Sequence, residues 1–322
     1  MIHPSLRLRG TTETDLLAIP TIALGFHPKE SCVAMAVRED RVEFCARLDK
    51  QWFVVDFAAT AEQLANAHDQ CRPCQMYLLG YGEDPEEIAA SLSELWWVLA
   101  DSVVAALITD GRRYWQLGAP GELDLSAAQP FVFEESSVAA QAVYQGVRVH
   151  QSRVEALREL GWGFEADEGC LARARAQLAE MTTQEWLNLL DDLLSSPAPP
   201  CHGEATLLAA VLEFPESLAE VLVQLSRASA PAVHPHLVAA LRASDRQAAP
   251  NVLALLAMAS WLNSQAAQHS ECMEQLRHLD PGHPVLRLLA RIDRLAIAPQ
   301  RWEAELASPG WAVPGLAGRR GL

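Results

Sequence analysis

At 322 residues the chain is about twice the length of an average single domain, so two domains are expected. Half of its residues are hydrophobic and 20% are charged, an ordinary globular composition with enough apolar material for two cores without a disulfide or metal staple. The formal net charge of −16 argues against direct binding to nucleic acid and against docking on anionic lipid, since both draw their affinity from Lys and Arg; the basic run Arg319-Arg320 in the tail is too small to count.

Other absences narrow the setting. Met1-Ile2-His3-Pro4 opens without a basic, then apolar, secretory pattern. The longest apolar stretch, Leu95 to Ile108, is broken by Asp101 and Ser102 and is too short to span a bilayer. The seven cysteines are odd in number and scattered, the pattern of reduced thiols. A cytoplasmic protein is expected. Lysine occurs twice, at Lys29 and Lys50, amid many alanines and arginines, which suggests a high-GC bacterial genome.

Taken in chain order, residues 14–26 predict a short helix capped by Thr14 or Asp15, with Pro20 inside it and Gly25 as its stop. Cys32–Val37 and Val42–Leu48 predict a hairpin, with a longer turn because Arg38-Glu39-Asp40-Arg41 contains no glycine. A helix near 60–71 follows, with Leu64, His68 and Cys71 on one side. A strand over Cys74–Tyr81 then ends in a Gly80-Tyr81-Gly82 turn. Asp84-Pro85-Glu86-Glu87 supplies an N-cap, a proline at the first helical position and acids in the first turn. The helix it opens carries Ile88, Leu92, Leu95, Trp96 and Leu99 on one face. Val103–Thr109 and Arg113–Leu117, joined through Asp110-Gly111, form a second hairpin. A helix near 136–146 closes a mixed α/β domain over 1–150.

Beyond 150 the strand signals stop, and 151–309 reads as an all-α domain of helical hairpins, with 310–322 as a flexible tail. Thr182 to Glu185 has the spacing of a capping box, and the helix it opens is stopped at Pro197-Ala198-Pro199-Pro200. Further helices are predicted near 204–213, 215–227, 232–243, 250–264, 266–279 and 284–296. Trp261 to Leu289 is similar to one tetratricopeptide-type helical hairpin, without the period of an array.

The densest polar cluster is the loop Gly25-Phe26-His27-Pro28-Lys29-Glu30-Ser31. Arg47 and Asp49, two residues apart on one side of a strand, are placed to face it. His27, Lys29, Glu30, Ser31, Arg47 and Asp49 therefore form a candidate site for a small anionic, nucleotide-like ligand, with Lys29 and Arg47 meeting the anion and His27 or Asp49 handling a proton. The alternative is a tight turn whose Glu30 and Ser31 bond to local amides, beside a solvated ion pair. Cys71-Arg72-Pro73-Cys74 has the spacing of a dithiol or half a zinc site, but it follows a helix rather than opening one, the wrong end to stabilise a thiolate. Cys201-His202-Gly203-Glu204 and His234-Pro235-His236 carry ligand types but read as interhelical loops without metal-binding spacing. Phosphate loops, nucleophile elbows and kinase motifs are absent from the sequence. No cofactor is expected, and the balance leans away from an enzyme.

The run from Asp15 through Gly25-Phe26-His27-Pro28-Lys29-Glu30-Ser31 to Val33 resembles the opening of an actinobacterial family labelled domain of unknown function 4192. That family begins with a proline-containing, leucine-rich helix, then Gly-Phe-x-Pro-x-x-Ser and an apolar strand. Ala46-Arg47-Leu48-Asp49, Leu79-Gly80-Tyr81, Gly111-Arg112-Arg113-Tyr114-Trp115, Ser152-Arg153 and the Trp261 to Asp280-Pro281 region are also similar to it. At Asn263-Ser264-Gln265 the chain departs from the glycine-containing turn of that pattern. The resemblance implies a bacterial, cytoplasmic origin; it supplies no activity, so no functional residue is carried over from it. The expected role is a binding or adaptor protein whose helical half grips a protein partner or a second copy of the chain; the alternative is the ligand binder or enzyme with its site at Gly25–Ser31.

Overall fold

A computed structural model describes residues 9–302 and 304, except 148 and 164; the expected tail at 310–322 lies outside the described residues. The chain divides into two compact units, Met1–Ala156 and Leu157–Leu322. The first is a mixed α/β domain, and the second is built of helices.

The first unit opens with α1 (Glu13–Leu24), capped by Thr12 rather than by Thr14 or Asp15. Asp15 is instead the third helical residue of a reciprocal capping box, its carboxylate accepting the Thr12 amide while the Thr12 hydroxyl accepts its own. Gly25 ends the helix in the left-handed conformation, at φ 78°. Next come β1 (Ser31–Arg38) and β2 (Arg41–Asp49). Glu39 and Asp40 both take positive φ, 50° and 58°, so the hairpin closes in two residues rather than in the longer turn expected. Side-chain carbonyls or carboxylates let such residues enter the left-handed region without glycine, which hides the turn from a search for glycine.

After α2 (Lys50–Val55) and α3 (Phe57–Cys71), β3 (Gln75–Tyr81) leads through α4 (Pro85–Leu99) to β4 (Val103–Thr109). β5 (Arg113–Leu117), β6 (Gln129–Pro130), α5 (Ser137–Tyr144) and the short α6 (Arg153–Ala156) complete the unit. The sheet order is β2-β1-β3-β4-β5-β6, and only β3 and β4 run parallel, the consequence of the helical crossover between them. Alternation along the strands makes two apolar faces. Ala34, Leu78, Ala106 and Ile108 pack with Leu64 of α3 and with Ile88, Leu92 and Leu95 of α4. Val33, Met35, Leu79 and Leu107 lie on the other side with Leu17 of α1, and α5 packs on α1 through Val138 and Ala142. Asp15 ties these two helices: one carboxylate oxygen accepts from the Thr11 and Thr12 amides, the other from the Ser137 amide and hydroxyl and the Val138 amide. Burial pushes its pKa up, but these donors outweigh burial and hold it below the usual aspartate value.

The second unit comprises α7 (Glu168–Ala179), α8 (Thr183–Ser195), α9 (His202–Val211), α10 (Pro215–Gln224), α11 (Ala230–Ala243), α12 (Ala249–Leu262), α13 (Ala266–Leu279) and α14 (Pro284–Arg294), with no strand among the described residues. The capping box of Thr182 and Glu185 opens α8 as the spacing predicts. Twelve of the 14 residues of α12 are buried, which makes it a helix apolar on every side, enclosed by α10, α11, α13 and α14. Polar groups secure its surroundings. The Asn251 amide donates to the Leu212 carbonyl at 2.7 Å and its oxygen accepts from Nε2 of His283 at 2.9 Å. His283 caps α14 by accepting the Val285 amide on Nδ1, so it is neutral in the fold, and burial lowers its pKa. The turn after α12 passes through Ser264 at φ 60°, so serine holds the left-handed position for which glycine was expected.

Candidate functional site

The loop from Gly25 to Ser31 lies at the sheet end where β1 begins and β2, β3 and β4 finish, since Ser31 sits opposite both Asp49 and Tyr81, and Tyr81 opposite Thr109. In open α/β sheets, ligands gather outside the carboxyl ends of parallel strands, here β3 and β4. α4 approaches this end closely because Gly80 and Gly82 have no side chain: a Cβ would lie 2.2 Å from an Ile88 methyl at Gly80 and 2.7 Å from Ile88 at Gly82. Gly80 and Tyr81 therefore belong to β3, and the pair of glycines serves helix packing rather than a turn.

The structure brings Glu30, Arg47 and Asp49 together and adds Lys50, Glu83 and Glu87, which the sequence reading did not select. Arg47 pairs with Asp49 at 2.6 Å, donates to the Lys29 carbonyl at 3.2 Å and lies over the Phe26 ring. Glu30, at φ 42°, accepts the Glu83 amide at 3.0 Å and the Lys50 ammonium at 3.3 Å. Lys50 also bonds to Glu87 in the first turn of α4; that bond, more than the one to Glu30, holds its ammonium above the usual lysine value. A lattice of opposite charges thus staples the loop to β2 and α4.

Lys29 is exposed. His27 is held elsewhere: its backbone amide donates to the His150 carbonyl and its ring meets Phe133 edge to face at 4.8 Å. Burial, with help from Lys29, outweighs Glu134 and lowers its pKa, so the ring is neutral near pH 7. Ser31 is fully buried with its hydroxyl unpartnered, and Nε of Arg47 is likewise buried without a partner.

The remaining motifs resolve as structure. Cys71 ends α3, and burial raises the pKa of Cys71 and of Cys74, the reverse of an activated dithiol. All seven cysteines are free thiols. His202 and Glu204 lie in the first turn of α9, and His234 and His236 lie inside α11, not in interhelical loops as expected. His234 bonds Gln268 at 2.7 Å and His236 bonds the Ala232 carbonyl at 3.0 Å. No three His, Cys, Asp or Glu side chains among the described residues are grouped to hold a metal ion. Trp115 is buried with its indole donating to the Leu125 carbonyl, whereas Trp97 is 74% exposed on α4. A cavity of about 290 Å³, bounded by Thr12, Glu13, Tyr77 and Gln116, lies toward the other end of β3, away from the loop.

Two groups of the helical unit escaped the sequence reading. His269, buried, faces the Ala257 carbonyl at 2.8 Å and the Asp293 carboxylate at 3.0 Å, two acceptors that both require a proton on the ring. Burial opposes the charge, yet Asp293 and then the carbonyl prevail and raise the pKa. Arg175 of α7 grips Glu213 bidentately at 2.9 and 2.6 Å and reaches Asp245, which also accepts the Gln247 and Ala248 amides before α12.

The family model described as domain of unknown function (DUF4192) matches residues 14–300. The chain belongs to this family. The match spans both units, so the DUF4192 pattern includes the α/β sheet, its polar loop and the helices through α14. No curated protein and no solved structure matches the chain. No helix among the described residues is long and apolar enough to cross a membrane.

Proposed function

We propose that this protein is a cytoplasmic, non-enzymatic adaptor of an actinobacterium, and that its helical unit binds an acidic surface of a protein partner. The observation that carries the reading is the outer face of α14, where Arg287, Arg291 and Arg294 recur at intervals of four and three residues and are all exposed. Those spacings place them on one side of the helix. In a chain with 41 acidic residues against 25 Lys and Arg, a row of three exposed arginines is suited to an acidic surface of a partner. The opposite side of α14 packs Val285, Leu288, Leu289 and Ile292 into the core, so the arginines sit on a rigid element. Purification of the full chain from its native host should bring down an acidic protein partner, which Arg287→Glu and Arg291→Glu together, or raised salt, should remove. Recovery of the same partner with the doubly reversed chain would overturn the reading.

A second reading, a small anionic ligand at the Gly25–Ser31 loop, is supported by the buried, unpartnered Ser31 hydroxyl and Arg47 Nε. Under it, titration calorimetry with inorganic pyrophosphate should give heat that Arg47→Gln abolishes; absence of heat with the unmodified chain counts against it.

A further inference from the structure

On the α1 side of the sheet, a space of about 290 Å³ lies beside the first turn of that helix. The strand register explains its floor. Tyr77 of β3 stands opposite Ala105 of β4, and Leu107 of β4 stands opposite Gln116 of β5. Side chains alternate along each strand, so these four share one face. Ala105 is the smallest of them, and the space opens where its methyl stands among larger neighbours. α1 borders the space with Leu16 and with Glu13 of its first turn.

The lining sorts into two kinds. Leu16, Ala105, Leu107 and the Tyr77 ring make an apolar and aromatic floor, while Glu13 and Gln116, both exposed, make a polar rim. Among the described residues Glu13 is the only charged member of the lining, and its side chain enters no ion pair. Its field reaches across the face: after burial, Glu13 is what holds the Tyr114 phenol above its ordinary value. The start of α1 does not offset that field by calling for an anion. The amides of Thr11 and Thr12 already donate to Asp15, and that of Asp15 to the Thr12 hydroxyl. A negative rim in a chain of net charge −16 draws cations. Size narrows the class further. An apolar cavity of about 150 Å³ holds one benzene molecule, so roughly twice that volume takes an aromatic ring with a short side chain.

We infer that this cavity is a binding site for a small organic cation, a primary amine joined by a short chain to an aromatic ring. The ring fills the space over Ala105, against Leu107 and Tyr77. The ammonium meets the Glu13 carboxylate and the Gln116 carboxamide oxygen, and the Tyr77 ring adds the attraction of an aromatic face for a cation. The occupant thereby ties α1 to β3, β4 and β5 and stabilises the sheet unit. This inference goes beyond the adaptor reading, and its site lies away from the Gly25–Ser31 loop.

The test is titration calorimetry of the full chain with phenethylamine, and with phenylacetate as an anion of similar shape. Saturable one-to-one binding of the amine is expected, and no binding of phenylacetate. Glu13→Gln keeps the shape of the rim and removes its charge, so it should weaken the amine by about tenfold or more. Ala105→Leu keeps the charge and fills the space, so it should abolish binding; a melting temperature near that of the unmodified chain shows that each variant is folded. Arg47→Gln and the α14 reversal should leave the affinity for the amine unchanged, which separates failure of this inference from failure of the two readings above. No saturable heat with the amine, equal binding of phenylacetate, or an affinity indifferent to both cavity variants would overturn it.

Discussion

In the α/β unit the charged side chains gather at one end of a sheet, in or near solvent, where Lys50, Glu30 and Glu87 compensate one another. In the helical unit the telling polar groups are histidines with almost no exposure, His269 and His283, suspended between helices around an apolar rod. The contrast follows from architecture. A sheet leaves its strand ends open to water, so loops there bind one another by exposed ion pairs that solvent screens. A helix enclosed on all sides leaves no such place, and each polar atom beside it needs a specific partner. Charge should therefore tune the first unit weakly and the second strongly, and packing defects should be felt within one unit at a time.

The largest effect expected is from Leu255→Ala in α12, which removes a fully buried side chain and should cost the helical unit about 2–5 kcal/mol. Leu92→Ala in α4 should do the same to the sheet unit. Urea unfolding followed by two probes, Trp115 for the sheet unit and Trp261 for the helices, should show only one transition moving in each case. If both transitions moved together in either variant, the comparison of independent units would fail.

A smaller effect, dependent on pH, is expected from Asp293→Asn. The folded pKa of His269 lies above its ordinary 6.5, so its stabilisation is full below pH 6.5 and is lost as pH rises through the folded value. Asp293 is partly exposed, and its loss should cost about 1–2 kcal/mol near pH 6 and much less near pH 9. His283, with its pKa lowered, works in the opposite sense, losing its contribution as pH falls below 6.5. An equal loss at both pH values would show that Asp293 acts by packing and not through the imidazolium.

The smallest effect separates strain from sequence habit. Ser264→Gly should stabilise the helical unit by about 0.5 kcal/mol, because glycine takes φ 60° without crowding Cβ. A lower melting temperature would mean that the serine side chain has a role in the turn.

What was legible in the sequence was whatever local chemistry dictates. Asp84-Pro85 and Thr182-x-x-Glu185 announce helices because an orphan amide needs a nearby acceptor, and Asp110-Gly111 announces a hairpin because the turn needs a left-handed residue. The Glu39-Asp40 turn was misjudged because those residues meet the same demand without glycine. α2 was missed because Lys50–Val55 is rich in aromatic and β-branched residues and buries none of them fully. α7 was missed because alanine stands in for leucine on part of its inner face, at Ala174 between Leu171 and Leu178. At the candidate site, Arg47 and Asp49 were found from their spacing along one strand. Lys50, Glu83 and Glu87 were not, because Lys50 meets residues 20 and 37 positions away, and only the strand order brings them near.

The enclosure of α12 also bears on how the chain comes into being. A segment that is greasy on every side has no stable resting place until its neighbours exist, and those neighbours extend through α13 and α14 to Trp302, which packs on Trp261. The sheet unit, complete by residue 156, can fold while the ribosome is still at work. The helical unit must wait until Trp302 has been made, with α12 exposed in the meantime to any holdase that grasps apolar peptides.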